Sequence, residues 1–263
     1  MNRPMGPLPM QAPSPGSSFS DLLDSLGAKP TLALPPGEKA PLSPEGTTVL
    51  ALRYLDGVVM AGDRRATEGN LVAHRRIRKV FPADKYSAVS IAGTAGLAIE
   101  MVRLFQVELE HYEKIEGVRL SLEGQATFLA RLVRGQLPMA FQGLVVVPLF
   151  AGYDERERRG RLYSYDAVGG RYEEIDFGST GSGARLAKSF MRTVYRDDLS
   201  GGEAAEIAVR ALVAASQEDT ATGGPDLRRG IYPTVIRISA AGLEELDDSV
   251  IEPMAEQAVE TIR

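Results

Sequence analysis

At 263 residues, 44% hydrophobic and 25% charged, the chain suits one globular domain of about 200 residues with a tail, or two small domains. A net charge of -5 gives no basic footprint for nucleic acid, no apolar stretch approaches the roughly 20 residues of a membrane span, and Arg3 is followed by prolines instead of the apolar core of a signal peptide. Cysteine is absent and His74 and His111 are the only histidines, which excludes disulfides, thiol chemistry and a Cys- or His-ligated metal; no cofactor is expected, and the cytoplasm is the simplest compartment.

Residues 1–46 hold 10 of the 16 prolines and lack the alternation of strands, so they read as a largely disordered or extended leader. Within them Phe19, Leu22, Leu23 and Leu26 have helical spacing, with Ser18 and Asp21 at capping-box distance. A proline-rich arm for a peptide-recognition domain is a competing reading with little beyond Pro35-Pro36 behind it. The body begins at Thr47. Residues 47–55 and 58–62 read as two strands joined at Asp56-Gly57, a hairpin signal, and 76–81 and 86–92 as a second pair around Pro82-Ala83-Asp84. A helix is expected from Thr94 to Glu116, stopped by Gly117, and another from Ser121 to Ala140. Strands follow at 143–152, 161–166 and 171–177. The glycine-rich stretch Gly178–Gly183 leads into a helix at 184–195, and a further helix is expected at 202–218. Strands near 232–239 and 243–247 precede a helical tail from Glu252. Helix pairs alternating with hairpins predict an α+β fold, with two sheets stacked face to face and one helix pair on each outer face.

The chemistry begins at Gly46-Thr47-Thr48. A cut before Thr47 would give one residue both a hydroxyl and a free α-amine, whose ordinary pKa of about 7.7–8.0 lets it serve as base for that hydroxyl. Alone, a threonine opening a strand is usually just a strand residue. Asp63 follows Ala61-Gly62 and would ordinarily be a turn former. Lys79 shares a face with Ile77 if Arg76–Val80 is a strand, and an inward lysine needs a partner, for which Asp63 is the candidate. Such a lysine would lower the pKa of a nearby amine. Ala92-Gly93-Thr94-Ala95-Gly96 joins a strand to a helix, where backbone N–H groups can form an oxyanion hole or merely a capped turn. Gly178–Gly183 superficially suggests a phosphate loop but lacks the terminal Lys-Ser/Thr of one. Asp219-Thr220-Ala221-Thr222-Gly223-Gly224 reads by itself as a helix-terminating loop.

Taken together, Thr47-Thr48-Val49, Ala61-Gly62-Asp63-Arg64-Arg65-Ala66-Thr67, Lys79, Ala92–Gly96, Gly181-Ser182-Gly183 and Asp219–Gly224 resemble the proteasome β-subunits over about residues 46–250, best the actinobacterial type with a long propeptide. The resemblance implies the four-layer αββα sandwich of N-terminal nucleophile hydrolases. Residues 1–46 would be a propeptide removed by self-cleavage between Gly46 and Thr47, and 47–263 the catalytic domain. It also implies Thr47 as nucleophile and Asp63 and Lys79 as its paired charges. Ser182, Asp219 and Thr222 would surround the amine, and the Gly93 N–H would be oxyanion donor. Thr222 departs from the serine of many relatives but keeps a hydroxyl. Thr67, Gly93 and Ala95 would pair with substrate backbone, while Ala66, Ile77, Ile91 and Ala95 would line an apolar pocket. The implied partners are further β-subunits in a seven-membered ring, proteasome α-subunits and a ring-shaped regulatory ATPase, with unfolded proteins as substrates. The helix bearing Leu97, Ile99, Met101, Val102, Leu104 and Phe105 is apolar on more than one side, as expected of a helix covered by neighbours. The simpler two-ring protease with a Thr-Thr start is the nearest rival, but its body is typically shorter and it does not suit so long a leader. A catalytically silent ring subunit would have no need to keep Gly46, Thr47, Asp63 and Lys79 together.

Overall fold

The computed structural model describes residues 46–68 and 71–262; the helix expected around Phe19–Leu26 lies outside the described residues. Two five-stranded antiparallel sheets form the centre. The first contains β1 (Thr48–Tyr54), β2 (Gly57–Gly62), β10 (Phe177–Gly181), β11 (Thr234–Ser239) and β12 (Gly242–Glu245), in the order β10-β1-β2-β11-β12. The second runs in sequence order through β5 (Val80–Asp84), β6 (Ser87–Gly93), β7 (Val146–Asp154), β8 (Arg159–Tyr165) and β9 (Arg171–Glu174).

Period-two alternation decides which layer each side chain joins. In the first sheet Ala51, Val58, Met60, Ile236 and Ile238 face the second sheet, where they meet Ala88, Leu149, Ala151 and Leu162. Their neighbours Leu50, Leu52, Val59, Ala61 and Val235 face outward, onto α4 (Ala184–Val194), α5 (Gly201–Glu218) and α6 (Asp248–Thr261). The outward set of the second sheet, Val89, Ile91, Phe150, Tyr163 and Tyr165, packs on α1 (Ala95–Glu116) and α2 (Leu122–Gly135). The four expected layers therefore form, with the first helix pair on one sheet and the second on the other. Among the described residues no helix is long and apolar enough to cross a membrane.

Local signals explain the element ends. Gly117 closes α1 in the left-handed region (φ 69°), Ser121 caps α2 by accepting from Gly124 N (3.1 Å), and Ser200 and Glu203 form a reciprocal capping box on α5. Several expectations need correction. The helix from Ser121 stops at Gly135 and is followed by a separate short helix, α3 (Leu137–Ala140), because Pro138 cannot continue the hydrogen-bond ladder. The strand expected from Arg76 begins only at Val80 and includes Pro82, which an edge strand tolerates; the reversal falls at Lys85-Tyr86, with Asp84 Oδ1 accepting from Tyr86 N (2.8 Å). The glycine-rich stretch is itself a strand, β10, paired with β1. A small hairpin of β3 (Ala66–Glu68) and β4 (Leu71–His74) has no counterpart in the expectation, and the tail helix α6 starts a turn earlier than Glu252.

Candidate functional site

The site lies where the first sheet's central strands end beside the start of the second. Asp63 leaves β2, its backbone N–H still donating to Thr48 O (3.1 Å). Its carboxylate accepts four hydrogen bonds: Oδ1 from Thr48 N (2.8 Å) and Lys79 Nζ (2.7 Å), Oδ2 from Arg65 N (2.9 Å) and Gly223 N (2.9 Å). All of its lone-pair directions are thus used. The Lys79–Asp63 pair is almost sealed, with side-chain exposures of 3% and 0%. Burial pushes the Lys79 ammonium below its ordinary pKa, with the Asp63 charge opposing. Lys79 Nζ also donates to the carbonyl oxygen of Gly46, at 2.9 Å. Lys79 is inward-facing as expected, though not through strand alternation: Ile77–Lys79 is irregular backbone.

Gly46 and Thr47 are pinned from several sides. Gly46 has φ 141°, and a Cβ there would lie 2.3 Å from Thr67 Oγ1 and 3.0 Å from the Ala221 carbonyl, so only glycine fits. Thr47 is buried, and its carbonyl accepts from Ser182 N (2.9 Å); Ser182 Oγ lies 3.3 Å from the same oxygen, with its one proton directed to Asp219. That approach depends on Gly181 (φ 104°), whose Cβ would sit 1.9 Å from Thr47 O. The space over Gly181 and Gly183 is filled by protein atoms, which removes the phosphate-loop reading of this segment.

Asp219 follows α5 as its C-terminal cap residue. Ser182 Oγ (2.6 Å) and Thr222 Oγ1 both donate to its Oδ2, and Ala221 N donates to Oδ1 (3.1 Å). Burial opposes ionisation, but these hydrogen bonds outweigh it and hold the carboxyl below its ordinary pKa. A cavity opens beside Thr47. Gly46, Thr47, Ala66, Ile77, Ile91, Gly93 and Ala95 line it, so the expected pocket positions lie together; Thr67 adjoins through its contact with Gly46. Gly93 has φ 107° and packs on the Val145 carbonyl, 2.0 Å from where a Cβ would be. Ala98 and Ile99 of α1 also line the cavity, as do Lys79 and Arg78. The Arg78 guanidinium is engaged with Val80 O and Glu245.

The candidate site residues from Gly46 to Thr222 therefore share one neighbourhood. Sequence reasoning missed Thr48, Arg65, Gly223 and the α1 pair Ala98 and Ile99. The Thr-Thr doublet was a visible signal for Thr48; the others needed the folded contacts.

A two-sheet αββα sandwich with a buried threonine immediately before strand β1 matches the fold of the N-terminal nucleophile hydrolases. The family model for proteasome subunits matches residues 44–226. The chain is 50% identical to the proteasome subunit beta of Acidimicrobium ferrooxidans, covering 95% of this chain and 91% of that protein. It is also 50% identical to the proteasome subunit beta of Streptomyces griseus, covering 98% and 93%. Against the corresponding protein of Acidothermus cellulolyticus the identity is 49%, covering 97% and 90%. The chain belongs to the proteasome subunit family, and its relatives here are proteasome subunits of the beta type.

Proposed function

We propose that this chain is a threonine endopeptidase made as a precursor, in which residues 1–46 are a leader, 47–263 the catalytic domain and Thr47 the nucleophile. As a proteasome β-subunit it assembles into the proteasome core with α-subunits. The observation that carries the mechanism is the sealed Lys79–Asp63 pair, whose Lys79 Nζ donates to the Gly46 carbonyl at 2.9 Å. Attack of Thr47 Oγ1 on the Gly46 carbonyl carbon would put negative charge on that oxygen, beside the Lys79 ammonium. The Gly46–Thr47 C–N bond then breaks, the hydroxyl proton ends on the nitrogen, and an ester joins Gly46 to Thr47 Oγ1. The amine is free at that point; water then opens the ester, releasing the leader with a Gly46 carboxylate and restoring the Thr47 hydroxyl.

In the cleaved enzyme the amine takes the Thr47 hydroxyl proton as the oxygen attacks a substrate carbonyl. Gly93 N–H serves the oxyanion, the amine protonates the departing nitrogen, and water releases the acyl group. Thr67, Gly93 and Ala95 hold the substrate backbone, and Ala66, Ile77 and Ile91 receive an apolar side chain before the cut. Asp219, Ser182 and Thr222 keep the amine oriented. The expected setting is a cytoplasmic seven-membered β-ring between α-rings, fed unfolded protein by a ring-shaped ATPase. The test is intact mass and fluorogenic-peptide hydrolysis of wild type and Thr47→Ala after mixing with α-subunits. Wild type should lose residues 1–46 and gain activity, while Thr47→Ala does neither. Cutting of the Thr47→Ala chain at the same bond, with no other active subunit present, overturns self-processing.

A further inference from the structure

Thr48 has no part in the mechanism above, yet its side chain is fully buried one residue from the nucleophile. Its Oγ1 accepts from Gly183 N (2.9 Å) and lies 2.5 Å from Thr222 Oγ1. Either hydroxyl of that pair could donate, but the surroundings settle the direction. A threonine hydroxyl has one proton. The Thr222 proton goes to the Asp219 carboxylate, so the Thr48 proton must go to Thr222 Oγ1. We propose that the Thr48 hydroxyl is a positioning group for the Thr47 nucleophile, the head of a one-way hydrogen-bond chain from Gly183 N–H through Thr48 and Thr222 to Asp219.

The position of Thr48 makes such a chain consequential. Its backbone N–H donates to Asp63 and its side chain leads to Asp219, so one residue links the two carboxylates on either side of Thr47. The Thr47–Thr48 peptide is then fixed by three contacts: its oxygen by Ser182 N, its N–H by Asp63, and its next side chain by Thr222. Gly183 is part of the device, because a Cβ there would stand 2.6 Å from both Thr48 Oγ1 and Thr222 Oγ1. A buried polar chain with each donor used once is rigid, and breaking it strands Gly183 N–H. Nucleophile alignment is sensitive to such small losses of register.

The inference rests on Thr47 being the nucleophile, and the experiment separates the two. Wild type, Thr47→Ala, Thr48→Val, Thr48→Ala and Thr48→Ser are each assembled with α-subunits, isolated by size exclusion and assayed with one fluorogenic peptide. Thr48→Val keeps the shape without the hydroxyl. It should lower kcat about 10-fold or more with KM within about twofold, and Thr48→Ser should recover most of the loss. Wild-type kcat in Thr48→Val overturns the proposal. So does a Thr48→Ser as poor as Thr48→Val, or a rise in KM alone. If Thr48→Val does not assemble, Thr48→Ala carries the same comparison; if neither assembles, the residue serves folding and the proposal fails. Residual hydrolysis by Thr47→Ala would sink the nucleophile reading whatever the Thr48 series gives.

Discussion

Lys79–Asp63 and the Arg161 cluster both bury a cation beside carboxylates, and they differ in what surrounds the pair. Lys79 and Asp63 are 3% and 0% exposed, and their remaining contacts go to backbone at Gly46, Thr48, Arg65 and Gly223. Arg161 is 8% exposed, but two of its carboxylates, Glu157 and Glu173, reach solvent at 44% and 35%, and Asp154 at 11% completes the set. The second arrangement ties the ends of β7, β8 and β9 together in partly wet surroundings. The first is desolvated on both sides, and a sealed ion pair is a weak source of stability relative to apolar packing. Its geometry is better explained by the bond it touches than by the fold it supports.

Removing a cation from each cluster should therefore give opposite phenotypes. Lys79→Ala leaves Asp63 sealed and unpaired, which costs about 3–5 kcal/mol of stability. It also removes the charge facing the Gly46 carbonyl. Leader loss and peptide hydrolysis should each fall by about 10²–10³-fold, read by intact mass and by kcat/KM on assembled particles. Near-normal turnover would put Lys79 in the same structural class as Arg161.

Gly46→Ala sharpens the contrast by disturbing the contact and sparing the pair. A methyl at that position meets Thr67 and Ala221 and disfavours φ 141°. Leader loss should slow about 100-fold, because the carbonyl leaves its place beside Lys79. Those chains that do mature should hydrolyse peptide at the wild-type rate per cleaved Thr47, since residue 46 is then gone. A mass-resolved time course against activity distinguishes the two effects.

Arg161→Ala should leave kcat unchanged and lower thermal stability by about 1–3 kcal/mol, discounted from a fully buried pair because Glu157 and Glu173 are solvated. The pH dependence carries a sign. Burial opposes it, but the Glu157 N–H and the Arg161 guanidinium hold Asp154 below its ordinary 3.8; Arg161 holds Glu173 below its ordinary 4.5. Carboxyls depressed in the folded state contribute stability above those ordinary values and lose it as pH falls through the folded ones. The gap between wild type and Arg161→Ala should stay level at neutral pH and close below those two ordinary values. A gap that widens in acid would contradict the assignment.

How far each region could be read in the sequence follows the same division. The sandwich was legible because apolar runs such as Val49-Leu50-Ala51-Leu52 and helical stripes such as Met101–Phe105–Leu109 are local signals. Thr47, Asp63 and Lys79 were legible because their motifs are distinctive together, although the face argument for Lys79 relied on a strand that does not form. β10 was hidden because glycines mask strand propensity, and here they are required for close approach to Thr47 O. The Thr-Thr doublet marked Thr48 without showing its partners, and Arg65 and Gly223 were hidden, because their roles are contacts between segments up to 174 residues apart, which no local pattern encodes.

Thr222→Ser is the smallest change expected, and it tests whether the neighbourhood of Thr47 depends on hydrogen bonds or on packing. The Thr222 hydroxyl sits between Thr48 and Asp219, and its residue is fully buried. Serine retains the one proton and the lone pairs that the chain of hydroxyls requires. What it loses is a methyl group, worth about 1 kcal/mol of buried contact, and the stiffness of a β-branched χ1. If the hydrogen bonds to Asp219 and Thr48 fix the rotamer, that stiffness is redundant. Thr222→Ser should then show kcat and KM within about twofold of wild type and a small loss of thermal stability. Thr222→Val, with the methyls and no hydroxyl, should lose kcat in the same manner as Thr48→Val. Should Thr222→Val be the more active of the two, packing would govern this corner, and the functional division between the two charged regions would rest on Lys79 and Asp63 alone.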